Sequence, residues 1–372
     1  MTQPPPHLFV DISSHGYGHL AQTAPVLNRL ANLLPDLRLT VRSGLPEAKL
    51  RQRIALPFAL IPQASDFGYV MLDALRIDRP ATAAAYRAAS ANFSRQVEDD
   101  AQTLKKLRAD AVLTDISYHP LAGAARAGIP AVALCSLNWA DLFQHYFGSE
   151  AWAAAIHAQM LAAYRGALFL RTTPGMTMPA LDNIETIGPI AAIGQERRAE
   201  LCRKLGVNEG NSRRADNTAP RGRIVLVALG GIPTRLPVEH WPALPNTHWL
   251  VPAAWNVRRA DMIAFEPLGW NFADLLRSSD AVVTKPGYGT FTEAACNGTA
   301  VLYQCREDWP EQDCLIEWLH ANARCREISA LDLRYGNLAN ALDTVLQTAS
   351  PPAPTPDGIT QAAAHITRLL KS

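Results

Sequence analysis

The sequence predicts an α/β protein made of two doubly wound domains in series, and three observations carry that prediction. Short apolar runs alternate with segments of helical periodicity, once over residues 7–136 and again over 223–322. Between the two series the alternation breaks, first at "PGMTMPALDNIETIGPIAAIG" and then in the polar, turn-rich stretch 208–222, "NEGNSRRADNTAPRG". Glycine-rich turns stand where strands of each half should end, at "HGYGH" and at "KPGYGT".

In the first half the strand-like runs are "HLFVDIS", "LRLTVRS", "DAVLTDI" and "PAVALCS", separated by helical segments at 20–34, 81–108 and 119–127. Runs this apolar suit strands covered on both faces, as a parallel sheet requires. The aromatic stretch 137–147, with Trp139, reads as core, and the helix 150–164 carries an apolar face suited to packing between domains or to touching lipid. The second half repeats the scheme: "RIVLVALGG", "HWLVPAA" and "MIAFEP", a short helix at "NFADLLRSS", the strand "AVVTKPG", a helix at 290–297, the strand "AVLYQC" and a helix at 311–322. A Pro-rich piece, 349–358, precedes a final amphipathic helix at 359–371. The expected organisation is therefore 1–190 as one domain, 191–222 as junction and mobile loop, 223–350 as a second domain, and 351–372 as linker and terminal helix.

Composition narrows the function. With 48% hydrophobic residues in 372, the chain can bury two sizeable cores. Lys plus Arg number 35 against 34 Asp plus Glu, so no global field favours nucleic acid or an anionic membrane, and any anion must be gripped locally. The six cysteines form no CxxC pair, which suits a reducing, cytoplasmic setting, and "MTQPPPH" has neither the charged start nor the apolar core of a signal peptide. No apolar run is long enough to span a bilayer, leaving peripheral contact as the membrane option.

Ligands of open α/β sheets bind beyond the carboxyl ends of strands. There, Lys285, Gly287, Tyr288, Gly289 and Thr290 lie between a buried strand and a helix, where small residues and a helix amino terminus favour phosphate oxygens. Glu293 follows in what should be the first helical turn, placed to accept hydrogen bonds from ribose hydroxyls. Gly230, Gly231 and Thr234, in "VALGGIPT", form a second phosphate candidate, and "EDWPEQD" offers Asp308, Glu311, Gln312 and Asp313 for sugar hydroxyls. At the amino terminus Gly16 and Gly18 let the chain turn sharply, and His19 projects from the helix start. A helix amino terminus should keep its imidazole neutral and basic, while a carboxylate partner would pull the other way. His15 reads as a turn residue and His119 as a helix cap. The acidic "VEDDA" sits within a helical stretch rather than at a strand end, so no metal is expected.

The order of these motifs resembles the GT-B glycosyltransferases, including the peptidoglycan N-acetylglucosaminyltransferase and the UDP-glycosyltransferases. "SSHGYGHLAQTAPVL" also resembles the glycosyltransferase-like domain of L-arabinokinases and the UDP-sugar hydrolase of pseudaminic acid synthesis. The resemblance implies two Rossmann-like domains facing a central crevice, with the final helix crossing back to brace the first. It implies a diphosphate loop at Gly287 to Thr290, a ribose contact at Glu293 and a donor-sugar contact at Gln312 and Asp313. It further implies His19 as catalytic base, oriented by Asp115. The co-substrate would be a nucleotide-diphosphate sugar, UDP-linked, with an unidentified acceptor and no other cofactor.

Three activities fit these residues: glycosyl transfer, hydrolysis or epimerisation of a nucleotide sugar on the same fold, and non-catalytic nucleotide-sugar binding.

Overall fold

The computed structural model describes residues 4–207 and 222–371, so the expected mobile loop lies, but for Gly222, outside the described residues. In chain order the first series is β1 (His7–Ile12), α1 (Tyr17–Leu33), β2 (Arg38–Ser43), α2 (Glu47–Arg53), β3 (Ala59–Ile61), α3 (Arg79–Ala91), α4 (Phe93–Leu107), β4 (Ala111–Thr114), α5 (Tyr118–Ala127), β5 (Ala131–Cys135), α6 (Trp139–Phe147), α7 (Ala153–Arg165), β6 (Leu168–Thr172) and β7 (Ile184–Ile187). The second is α8 (Arg198–Leu205), β8 (Arg223–Val227), β9 (Thr247–Val251), β10 (Met262–Ala264), α9 (Phe272–Ser278), β11 (Ala281–Thr284), α10 (Tyr288–Asn297), β12 (Ala300–Tyr303), α11 (Gln312–Asn322), β13 (Cys325–Glu327), α12 (Ala330–Tyr335) and α13 (Ala339–Gln347), with α14 (Gly358–Leu369) last.

Two wholly parallel sheets result. The first has seven strands in the order β3-β2-β1-β4-β5-β6-β7 and the second six in the order β10-β9-β8-β11-β12-β13. Each grows outward in both directions from its first strand, so the strand order reverses between β1 and β4 and again between β8 and β11. Leu8, Val10, Val112 and Leu113 in the first sheet and Ile224, Val282 and Val301 in the second are fully buried. Each contributes about 1.5–3 kcal/mol through burial, which explains why these strands read as unbroken apolar runs.

By contacts the chain divides into two units. One comprises Met1–Ala191, Asp308–Cys314 and Pro356–Ser372; the other comprises Ala192–Glu307 and Leu315–Thr355. The terminal helix belongs to the first unit: α14 packs on α1, Gly188 N donates to Gln361 Oε1 at 2.7 Å, and His365 Nε2 lies 2.8 Å from Glu185 Oε1.

Several elements differ from the sequence expectation. The segment 81–108 is two helices, because Asn92 leaves helical geometry at φ −105°, ψ 1° and turns its side-chain amide back onto the Ala88 carbonyl. The break after "PGMTMP" still holds a strand, β7, paired parallel to β6. The apolar face of α7, with Ile156, Met160, Ala163 and Tyr164, is covered within the first unit by α5 and α6 rather than by lipid or another domain. His119 is no cap: α5 begins at Tyr118 after Ser117, and the imidazole is buried against the Tyr118 ring at 4.1 Å. Burial pushes it down to about 4, so it is a neutral core group. Trp139 is core as expected, 1% exposed.

Candidate active site

In the first unit the strand-order reversal places the ends of β1 and β4 side by side, and the expected catalytic pair meets there. Helix α1 starts at Tyr17, three residues earlier than its periodicity suggests, so Gly18 and His19 lie in its first turn. Gly16 caps it at φ 123°, ψ 167°, a conformation essentially confined to glycine, although a Cβ there would meet nothing within 4 Å. Backbone geometry therefore demands this glycine. A Cβ at Gly18 would also meet open space.

His19 Nδ1 lies 2.6 Å from Asp115 Oδ2, at ion-pair distance without the alignment of a hydrogen bond. Asp115, just past β4, is fixed by Ser13 N donating to its Oδ1 at 2.9 Å and by its own N–H donating to the Asp11 carbonyl at 3.1 Å. Burial opposes charge on His19, but the Asp115 carboxylate outweighs it and holds the imidazole well above the ordinary histidine range. The neutral imidazole expected from the helix terminus is thus corrected: the pull of the carboxylate exceeds the opposing effect of burial.

Around this pair runs a polar network that sequence reasoning missed. Asp66, in the irregular loop between β3 and α3, accepts from Ser13 Oγ at 2.8 Å, Ser117 Oγ at 2.9 Å and the Trp139 indole N–H at 2.7 Å. Ser65 Oγ lies 2.5 Å from Asp11 Oδ1 and 2.9 Å from Ser117 Oγ, and Asp11 in turn pairs with Arg42 at 2.5 Å. Burial pushes Asp11 up to about 6 against the pull of Arg42. No periodicity marks "QASDFGY"; its only local signal is a polar pair just ahead of a glycine.

His15 is more than a turn residue. Its ring stacks on Trp309 at 5.8 Å and 6° and meets Trp139 edge-on at 5.4 Å. Trp309 comes from the segment 308–314, which groups with the first unit. There Glu311 is buried, accepting from Ser136 Oγ at 2.6 Å and the Trp309 indole at 3.0 Å, and Asp308 is taken up by His145 at 2.7 Å and by the Tyr146 hydroxyl on its carbonyl at 2.5 Å. Asp308 and Glu311, read in sequence as sugar ligands, therefore secure this segment. Gln312, half-buried with its N–H on the Trp309 carbonyl, and Asp313, exposed, open α11.

In the second unit the strand ends at the reversal point, β8 and β11, carry the two glycine turns. Gly230 has φ 90°, and the Lys285 amino group stands between the turns: a Cβ at Gly230 would lie 3.9 Å from Nζ and one at Gly287 3.4 Å. Gly231, Thr234, Gly287 and Thr290 are partly exposed here, whereas Tyr288 and Gly289 are buried. The Thr234 carbonyl accepts from the Trp255 indole at 3.0 Å. Helix α10 starts at Tyr288, so Glu293 falls in the second turn, not the first, and is 1% exposed. A helix starting at Thr290, as the sequence suggests, would put it in the first turn.

Among the described residues no group of three or more His, Cys, Asp or Glu is placed to hold a metal ion, and no helix is long and apolar enough to cross a membrane.

Two doubly wound parallel sheets of this kind give the chain the GT-B fold, that of the nucleotide-sugar glycosyltransferases. Particular proteins of that fold align along nearly its whole length: a UDP-glucosyltransferase from Polygonum tinctorium capable of glucosylating indoxyl, at TM-score 0.60 and 14% identity over 100% of both chains; the glycotransferase of kitacinnamycin, at 0.58 and 17% over 99% of this chain and 96% of that one; and a UDP-N-acetylglucosamine 2-epimerase, at 0.51 and 13% over 97% and 94%. At these identities the likeness establishes the fold. In sequence the chain is 25% identical over 321 residues to the L-arabinokinase of Arabidopsis thaliana, covering 83% of this chain and 29% of that protein. The chain thus spans less than a third of that relative's length. No protein-family profile matches it.

Proposed function

We propose that the chain is a glycosyltransferase that moves a sugar from a nucleotide-diphosphate sugar, UDP-linked, to an acceptor hydroxyl. The observation that carries this reading is the His19–Asp115 pair, 2.6 Å apart at the strand-order reversal of the first sheet. Asp115 engages Nδ1, so once His19 has lost its Nε2 proton to solvent, Nε2 is the nitrogen that takes the acceptor proton. As the acceptor oxygen bonds to the anomeric carbon, the bond from that carbon to the diphosphate oxygen breaks and the electron pair leaves with the diphosphate. The departing negative charge falls to Lys285, to the amides of Gly287, Tyr288, Gly289 and Thr290 at the start of α10, and to the turn of Gly230, Gly231 and Thr234. Glu293 is assigned the ribose, and Gln312 with Asp313 the donor sugar. No step needs a metal, and the reaction belongs in the cytoplasm, where nucleotide sugars are the co-substrate and no further cofactor is required.

A second reading, hydrolysis or epimerisation of the nucleotide sugar, is favoured by the fold shared with the UDP-N-acetylglucosamine 2-epimerase; in the hydrolytic case the same pair would deprotonate water. Thermal stabilisation by UDP, dTDP, GDP and their sugars, followed by nucleotide release without acceptor, separates the cases. A ligand bound by the native state alone raises the melting temperature. Stabilisation by a UDP-sugar, with release of UDP dependent on added acceptor, is the expected result. Rapid release in buffer alone would support the hydrolase, retention without turnover a binding module, and no stabilisation at all would overturn the donor assignment.

A further inference from the structure

We propose that Asp66 is a second carboxylate of the His19 site, a positioning residue that holds Asp115 and His19 in register through Ser13, Ser117 and Trp139 and adds its charge to the surroundings of the imidazole. The inference rests on the reading of His19 as the working base and deepens it.

Three independent connections converge on Asp66. Ser13 is the shortest bridge, giving its N–H to Asp115 at 2.9 Å and its hydroxyl to Asp66 at 2.8 Å, so one residue ties both carboxylates to the end of β1. Ser117, two residues beyond Asp115, donates to the other Asp66 oxygen at 2.9 Å, which pins the turn from β4 into α5. Trp139 donates its indole N–H to that same oxygen at 2.7 Å, and its ring lies 5.9 Å from His19 and 5.4 Å from His15. A carboxylate accepts at up to about four lone-pair sites, so three donors hold it firmly while it keeps its charge. Replacing it would release the loop, the strand-end turn and the indole together.

The charges are shared as well. Burial raises Asp66, the neighbouring Asp115 charge raises it further, and the charge on His19 pulls it back. The interaction is mutual: if charged His19 favours charged Asp66, then charged Asp66 favours charged His19. The other groups facing this pair are few. His19 meets Asp115 beyond β4, the Cys135 thiol at the end of β5, and His15 from its own turn. Asp66 meets Asp11, itself bound to Arg42, and the phenols of Tyr86, Tyr118 and Tyr164. The phenols stay neutral because burial pushes all three up, so the carboxylate charge felt by His19 comes from Asp115 and from Asp66.

The test is the ionisation of His19 itself, followed by NMR of the histidine side chains in the full chain, with its signal assigned by its loss in His19→Gln. In Asp66→Asn the His19 midpoint should fall by on the order of 0.5–1 pH unit, while Asp66→Glu stays near wild type. Asp73→Asn, on the same loop but paired with Arg76 at 2.7 Å, should leave it unmoved. If melting shows that Asp66→Asn does not fold, Ser13→Ala breaks the bridge while sparing the main-chain bond to Asp115, and should move the midpoint the same way by less. An unchanged midpoint in either folded variant overturns the proposal. A shifted midpoint in a protein that neither binds nor turns over nucleotide sugar would support Asp66 and refute the transferase. Where turnover is present, the rising limb of the kcat–pH profile should move with the midpoint while KM for the donor stays constant.

Discussion

A histidine 2.6 Å from a buried carboxylate begins its cycle charged, and two opposite pH trends follow. As a base His19 must lose its proton first, so kcat should climb as pH rises above neutrality through the raised midpoint. Stability moves the other way. The folded value lies above the unfolded value of about 6.5, so the ion pair's contribution is full below that pH and is lost as pH rises through the folded value. The gap in melting temperature between wild type and His19→Gln should therefore narrow from pH 6 to the alkaline range, and a gap that widened would place the charge elsewhere. Replacing His19 by Ala should lower kcat by about 10²–10⁴-fold and leave nucleotide affinity nearly intact, read by turnover and calorimetry. Glu293→Ala is the complementary case: a lost ribose contact should weaken nucleotide binding by about 1–3 kcal/mol. Because Glu293 is 1% exposed, a variant that loses melting temperature but keeps nucleotide affinity would assign this carboxylate to the interior of α10's packing instead.

Among the elements, α1 depends on its first residue for direction. Gly16 sits where any residue with a Cβ is strained, although the space beside it is open. Gly16→Ala should therefore cost about 1–3 kcal/mol of stability or turn the helix start and carry His19 off Asp115. Urea unfolding measures the first outcome and the His19 titration the second; a variant with neither change would show the glycine dispensable. Strands behave differently. Their partners on both faces are supplied by the fold, so β1 and β4 are specified by apolar runs alone, and the reversal of strand order between them sets Asp115 opposite the turn that follows β1.

At the scale of the molecule, the first unit is not a continuous piece of chain. From 308–314, Trp309 joins its hydrophobic cluster and Glu311 accepts from the Ser136 hydroxyl, and α14 covers α1. A fragment ending at residue 191 lacks the stacking partner of His15, the buried acceptor of the Ser136 hydroxyl and the helix that takes the 185–188 region. It should melt well below the full chain or fail to give a dispersed NMR spectrum. A fragment as stable as the whole would mean that the returning segments add little.

The two parallel sheets, most strands and the glycine turns are legible in the sequence, because burial on both faces and a helix start after a turn leave local signatures. It also drew attention to His19, through the glycine turn before it, while Asp115 entered only through the family resemblance. What surrounds them is set by folding. Asp66, Trp309 and Glu311 reach their partners across separations of 51 to 175 residues or by ring stacking, and such contacts have no period in the sequence. The charge of His19 was likewise invisible: the helix dipole, burial and the carboxylate act on it in different directions, and their balance depends on a distance that only folding fixes.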